Sequence, residues 1–102
     1  MIRHIVLTKF SPDTPENRIA DIYGGLQTLT ETLSGARAFT GGRSSSPEDI
    51  ERGYTHAFTV DFASWAEHET YASHPEHLVL GQRRVAHAVD GIDGLIVLDI
   101  EV

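Results

Sequence analysis

Cysteine is absent from the 102 residues of this sequence. Disulfide bonds, thiolate nucleophiles, cysteine-ligated zinc and thiolate-held iron–sulfur clusters are therefore excluded together. Any chemistry must come from histidine, tyrosine, carboxylate or hydroxyl groups.

Positive charge is also scarce. Eight Lys and Arg residues stand against fifteen Asp and Glu residues, which gives a formal net charge of −7, and the basic residues are scattered along the chain. Such a surface neither neutralises a run of phosphates nor attracts an anionic membrane. We expect no nucleic-acid partner and no membrane partner.

Long hydrophobic runs are missing as well. No run approaches the roughly 20 residues that span a bilayer, and residues 5–7 are too short an apolar stretch for the core of a signal peptide. We therefore expect a cytoplasmic protein. The composition, 40% hydrophobic and 23% charged, is that of a folded soluble domain, and the length predicts one domain over residues 1–102.

Hydrophobic periodicity predicts elements in the order β-α-β-β-α-α-β. Proline, glycine and capping residues mark their ends, including the capping box Ser64-Trp-Ala-Glu67 and the helix break before Pro75. Gly24-Gly25 in the first helix would permit a close approach of another element. The predicted strands cover residues 2–10, 36–39, 53–62 and 95–102, the helices cover 15–33, 65–73 and 75–89, and a loop covers 41–52.

This order predicts an α+β, ferredoxin-like subunit: a four-stranded, mainly antiparallel sheet with helices on one face. The other face stays uncovered, although the strands carry apolar residues on both sides, as with Ile5 and Leu7 opposite Val6. We therefore expect a homodimer in which two sheets pack face to face.

Two of the six histidines, His4 and His56, lie on strand faces that are otherwise apolar. A buried imidazole loses the solvation of its charged form, so it is neutral at pH 7 and is suited to act as a base or as a metal ligand. A structural role in the core is the alternative for each of them.

The segment 71–77, Tyr-Ala-Ser-His-Pro-Glu-His, is the strongest local cluster. If Pro75 begins a helix, His77 lies in its first turn, where the helix dipole disfavours the imidazolium and keeps a nitrogen lone pair available. The break at Pro75 lets Tyr71 and His77 converge. We predict His77 as a general base and His74 as a residue of the helix junction.

Segments 1–10, 52–58, 71–77 and 97–102 together resemble the stress-responsive dimeric α/β-barrel (Dabb) family, in the order of the family's motifs. The resemblance extends over essentially the whole chain. It implies a ferredoxin-like subunit and a β-barrel formed across a homodimer, which agrees with the uncovered sheet face.

The resemblance also implies roles for particular residues. Plant polyketide cyclases of this family close a linear poly-β-ketone without a cofactor, and their acid–base tyrosine and histidine match Tyr71 and His77. Their two strand histidines match His4 and His56. A tyrosine that they carry on the first helix falls at Leu26 here.

Two further features bear on that match. Tyr23 lies one turn from Leu26 and could substitute for the missing tyrosine. His68 stands where the family more often has an aliphatic residue. The predicted site therefore has His77 and Tyr71 as catalytic residues, and its substrate-binding residues are His4, His56, Phe10, Phe58, Val60, Leu78, Tyr23 and Leu26.

Several functions remain open at this point. One is a cofactor-free acid–base enzyme, a cyclase, lyase or isomerase, acting on a small hydrophobic carbonyl compound. Another is a non-catalytic stress-response dimer that binds a small hydrophobic ligand. A metal site built from His4, His56 and His77 is a third, and haem or flavin is suggested by fold analogy alone. We expect no cofactor.

Overall fold

Strand β1, one of the two central strands of the sheet, is hydrogen-bonded to a neighbour on each side. The computed structural model describes residues 1–102, and all three strand pairings in it are antiparallel, in the order β2-β3-β1-β4. This topology confirms the ferredoxin-like prediction. The strands are β1 (Ile2–Thr8), β2 (Ala36–Arg43), β3 (His56–Phe62) and β4 (Leu95–Glu101), and the helices are α1 (Glu16–Thr32), α2 (Trp65–Ala72) and α3 (Pro75–His87), with a 3₁₀ turn at Gly91–Gly94.

Alternation along β1 divides the molecule into two sides. Ile2, His4, Val6 and Thr8 are all buried beneath the helices. Across the sheet, β3 adds its own buried face with Phe58, Val60 and Phe62. These side chains and the inner face of α1 form one core.

Helix α1 supplies most of the core from outside the sheet. Its buried residues recur at three- and four-residue spacing, as the amphipathic pattern predicts, and Leu26 is 0% exposed. The helix begins at Glu16, one residue later than predicted, because Pro15 takes the cap position in an extended conformation.

Strand β2 continues to Arg43, beyond its predicted end at Phe39. Backbone pairing with β3 extends it, since Gly41 lies opposite Phe58 and Gly42 opposite Ala57. A side chain at Gly41 would collide with the core, because its Cβ would lie 2.9 Å from the Cβ of Phe58. Part of the predicted loop is therefore strand, and glycine is what lets the strand pass so close to the core.

Side chains cap both of the following helices. Ser64 caps α2, as predicted, but it accepts a hydrogen bond from the Ala66 N–H at 3.2 Å rather than from the Glu67 N–H of a regular capping box. His74 caps α3 in the same way, through Nδ1 and the Glu76 N–H at 3.1 Å. The junction residue of the sequence prediction therefore has a structural role.

The buried face of α3 differs from the predicted one. Leu78 is 54% exposed, whereas Leu80 and Arg84 are buried. Gly25 of α1 explains the rotation, because a Cβ there would lie 2.8 Å from the Leu80 side chain. Leu80 packs into the space that this glycine leaves. This contact sets the rotation of α3 about its axis, so that Leu80 is buried and Leu78 is exposed.

The sheet face opposite the helices is apolar and open. Ile5 pairs with Leu98 and Leu7 with Ile96 across β1 and β4, and Ile96, Leu98 and Ile100 are 38%, 51% and 48% exposed. We call these five side chains the open sheet face. None of the helices combines the length and apolarity needed to cross a membrane.

A substitution at Leu26 tests the core. Leu26→Ala should lower the free energy of unfolding by about 3 kcal/mol, because it leaves a cavity beneath α1. Leu78→Ala is the matched control and should cost less than about 1 kcal/mol, since Leu78 is 54% exposed. Chemical denaturation of the two variants measures the difference, and equal losses would contradict this assignment of the core.

Candidate active site

A groove of about 520 Å³ opens between α3 and β4 on the helical side of the sheet. Strand β4 lies at the sheet edge, and α3 turns Leu80 toward α1, so the space between α3 and β4 is not filled. Two ionisable side chains, His77 and Arg84, lie in the groove among mostly apolar side chains. Its lining includes His77, Leu78, Gly81, Arg84, Leu95 and Val97. We call it the α3–β4 groove.

The tautomer of His77 follows from its hydrogen bond. Its Nδ1 lies 3.0 Å from the carbonyl oxygen of Ala72, which can only accept. The proton of the neutral ring is therefore on Nδ1, and Nε2 carries a lone pair. Burial lowers the pKa of His77 to about 4, and the positive charge of Arg84 acts in the same direction. His77 is thus a neutral imidazole at pH 7.

Tyr71 lies directly behind His77, and their rings are 4.5 Å apart between centroids. The side chain is 1% exposed, and its hydroxyl has no hydrogen-bond partner in the chain. Burial raises the pKa of this hydroxyl to about 12, so it keeps its proton and is a donor at neutral pH. A lone pair and an unused donor are therefore brought together at the end of α2 and the start of α3.

His4 reaches the same region from β1. Its ring lies 6.0 Å from that of Tyr71, and its Nδ1 lies 2.8 Å from Oδ1 of Asp99 on β4. Nδ1–H donates to the carboxylate, which leaves Nε2 unprotonated. Burial lowers the pKa of His4 against the opposing effect of Asp99.

His68 joins His4 at the same carboxylate oxygen. Its Nε2 lies 3.1 Å from Oδ1 of Asp99. One ligand atom from each of His4, His68 and Asp99 lies within 4.8 Å of the other two, so these three residues could hold a metal ion. In the structure all three are satisfied by hydrogen bonds to one another. Cross-strand pairing of Asp99 with His4 creates this cluster, so the sequence alone does not reveal it.

His56 lies apart from the other three predicted polar residues. It pairs with Thr8 on β1, whereas His4 pairs with Val60, a separation of four residues or roughly 13 Å along the sheet. The predicted metal site of His4, His56 and His77 is therefore not brought together. Strand alternation could not predict this separation, because it gives the sheet face on which a residue lies and not the register of one strand against the next.

Both ring nitrogens of His56 are occupied. Nε2 lies 3.1 Å from the Glu16 carboxylate, and Nδ1 lies 3.0 Å from the hydroxyl of Thr55. Its ring packs at 5.3 Å on Phe10. These groups border a second cleft of about 510 Å³, which is distinct from the α3–β4 groove. Arg43 also lines this second cleft.

The other predicted binding residues are mainly core residues. Val60 and Leu26 are 0% exposed, and Phe58 is 1% exposed. Phe58 lies between Tyr23 and His4: its ring centre is 5.5 Å from that of Tyr23 and 6.2 Å from that of His4. Tyr23 is buried, and its hydroxyl has no hydrogen-bond partner.

Arg84 is a residue that the sequence analysis missed. It is 7% exposed, its Cζ lies 5.1 Å from the centre of the Phe58 ring, and Nε has no hydrogen-bond partner. The signal was the four-residue spacing of Leu80, Arg84 and Ala88, which places an arginine on the buried face of α3.

The ionisation of His77 can be measured directly. In an NMR titration, we expect its imidazole to titrate with a midpoint near 4, well below the ordinary value of 6.5. Nitrogen chemical shifts at pH 7 should show the proton on Nδ1. A midpoint at or above the ordinary value, or a proton on Nε2, would contradict this account of the site.

Comparison with known proteins identifies relatives of this chain. A stress-response A/B barrel domain-containing protein of Arabidopsis thaliana is 30% identical over 101 residues, covering 98% of this chain and 85% of the relative. Olivetolic acid cyclase of Cannabis sativa is 24% identical over 80 residues, covering 78% of this chain and 79% of the cyclase.

Solved structures agree with this relationship. A dimeric ferredoxin-like protein of unknown function from Jannaschia sp. CCS1 has a TM-score of 0.92 at 30% identity, covering 99% of this chain and 98% of the other. A hydroxynitrile lyase from Passiflora edulis has a TM-score of 0.84 at 21% identity, with coverages of 99% and 92%. The stress responsive A/B barrel domain model matches residues 2–102, and the chain therefore belongs to the stress-responsive A/B barrel (Dabb) family.

Proposed function

We propose that this protein is a homodimeric, cofactor-free enzyme that carries out acid–base chemistry on a small hydrophobic carbonyl compound in the α3–β4 groove. One observation carries the proposal. The Nδ1 hydrogen bond to Ala72 leaves the His77 Nε2 lone pair free, and the ring of Tyr71, whose buried hydroxyl donates to nothing in the chain, lies 4.5 Å from that of His77.

The chemistry begins with removal of a proton next to a carbonyl group. His77 Nε2 takes the proton, the electrons of the C–H bond form the carbon–carbon double bond of an enolate, and the carbonyl electrons move onto oxygen. Tyr71 donates a hydrogen bond to that oxygen as its charge develops. In a cyclisation the enolate carbon then attacks a second carbonyl of the same molecule, and protonated His77 returns its proton to the new alkoxide.

Burial of His77 serves this step in two ways. Its lone pair is available across the neutral pH range, because the imidazolium is disfavoured in the free protein. Once the proton has moved, the enolate and the imidazolium form an ion pair, whose mutual attraction stabilises the charged intermediate. The apolar lining of the groove favours a hydrophobic substrate.

The relatives support this class of reaction. One is a cyclase and one structural neighbour is a lyase, and both classes can use an acid–base pair of this kind. Fold similarity alone does not fix the activity, so the argument depends on His77 and Tyr71 rather than on the family.

Exchange of hydrogen for deuterium on a carbonyl substrate tests the proposal without knowledge of the natural reaction. In D₂O, the wild-type protein should accelerate exchange of the α-hydrogens in at least one member of a panel of hydrophobic β-diketones and β-keto thioesters, followed by NMR. His77→Ala should lower the rate by roughly 10² to 10⁴, and Tyr71→Phe by about 10².

His87→Ala is the matched control, a histidine at the far end of the same helix, and should retain the wild-type rate. If the wild-type protein binds members of the panel but exchanges none of them, the alternative of a non-catalytic binding dimer replaces the enzyme. Full exchange by His77→Ala would remove His77 from the mechanism.

The open sheet face supports the homodimer. Its exposed aliphatic side chains form a continuous patch across β1 and β4, and burial of such a patch against a second copy removes it from water. The protein from Jannaschia sp. CCS1 is described as dimeric.

Substitution of the patch tests this arrangement. Leu98→Asp should convert a dimer of twice 11.2 kDa into a monomer in light scattering, because it places a charge in an apolar contact. Ile92→Asp is the control, since Ile92 is 68% exposed but lies in the 3₁₀ turn outside the sheet. It should stay dimeric. A wild-type monomer at micromolar concentration would overturn the homodimer.

A further inference from the structure

Arg84 is a buried charge without a counter-charge. It is 7% exposed, and it takes part in none of the salt bridges of the chain. Removing a guanidinium from water is costly unless a partner replaces its solvation. The contact with the Phe58 ring at 5.1 Å offsets only part of this cost.

Arg84 and His77 line the same groove, and Nε of Arg84 is buried without a hydrogen-bond partner. The two buried tyrosines lie nearby: the Tyr23 ring lies 5.5 Å from the Phe58 ring on which Arg84 packs, and the Tyr71 ring lies 4.5 Å from that of His77. Burial raises the pKa of each tyrosine to about 12, and both hydroxyls therefore keep their protons.

We propose that Arg84 binds the carboxylate of an apolar organic acid in the α3–β4 groove. A carboxylate presents two oxygens and about four lone pairs, all acceptors, which is the complement of a guanidinium that has no counter-charge in the chain. Arg84 lies in the groove lining. Gly81 lies beside it in the lining, where a Cβ would be in ordinary van der Waals contact with Nη2 of Arg84, at 3.6 Å.

The rest of the ligand follows from the groove. Leu78, Val85, Leu95 and Val97 offer aliphatic contacts to a hydrocarbon chain or ring attached to the carboxylate. The net charge of −7 repels anions over long range. Preference for an anion must therefore arise at this site and not from the overall charge of the protein.

The assignment names a substrate class for the proposed enzyme, and in that respect it rests on the proposed function. The substrate would be a hydrophobic keto acid, held by its carboxylate at Arg84 while a proton is removed near His77. Binding of the carboxylate itself requires no turnover and can be tested separately.

Paired ligands with the same carbon skeleton measure the preference. Calorimetric titration of the full-length protein with octanoate and with octanamide, at fixed ionic strength, should show about tenfold or greater preference for the acid. Arg84→Met should reduce this preference to about one, and Arg84→Gln should do the same with a polar side chain of smaller volume.

Arg83→Met is the matched control. It removes the same charge from the adjacent, exposed position, and it should keep the wild-type preference. Arg84→Met should also raise the melting temperature by roughly 4–8 °C, because it replaces an unpaired buried charge by an apolar side chain. A stabilised variant that has lost the preference excludes misfolding as the cause.

Three results would overturn the inference: equal affinity of the wild-type protein for acid and amide, loss of the preference in Arg83→Met, or its retention in both Arg84 variants. Failure of the proposed function has a different signature. A wild-type protein that prefers octanoate but exchanges no α-hydrogens would keep the carboxylate site and remove the enzyme. A wild-type protein that exchanges α-hydrogens but does not prefer octanoate to octanamide would keep the enzyme and remove the carboxylate site.

Discussion

The two-residue alternation of β1 is the constraint on which both surfaces of this protein depend. The strand is paired on both sides. Its side chains therefore alternate between the helical side of the sheet, where the groove lies, and the open sheet face. His4 and Thr8 face the helices, and Ile5 and Leu7 face away from them. A slip of one residue in its register would exchange the two sets and destroy the site and the apolar patch together.

The helical side of the sheet buries several polar groups. Some of them are satisfied inside the chain, such as His4 by Asp99 and His77 by the Ala72 carbonyl. Others, Arg84 above all, are not. Unpaired buried polar groups reduce stability, and an unpaired buried arginine in the lining of an apolar groove is typical of a site that is completed by a ligand.

Sequence patterns predicted the fold and the proximity of Tyr71 to His77. The order of elements, the helix cap at Ser64 and the proximity of Tyr71 to His77 all depend on local signals within a few residues. The placement of His56 was not local, because it depended on how β3 slides against β1. Arg84 was missed because a pattern of apolar residues ranks the face with Leu78 and Val85 above a face that contains an arginine.

The sequence by itself determined the elements, their order, the amphipathic faces and the absence of cysteine chemistry, since these follow from residue type and from the periods of helix and strand. Only the tertiary structure decided which distant residues meet. The contact between Gly25 and Leu80 sets the rotation of α3 and thereby buries Arg84, and the register of β4 brings Asp99 to His4. Packing of one element against another selects among faces and registers that local free energies leave nearly equivalent, and the chemistry of this protein depends on that selection.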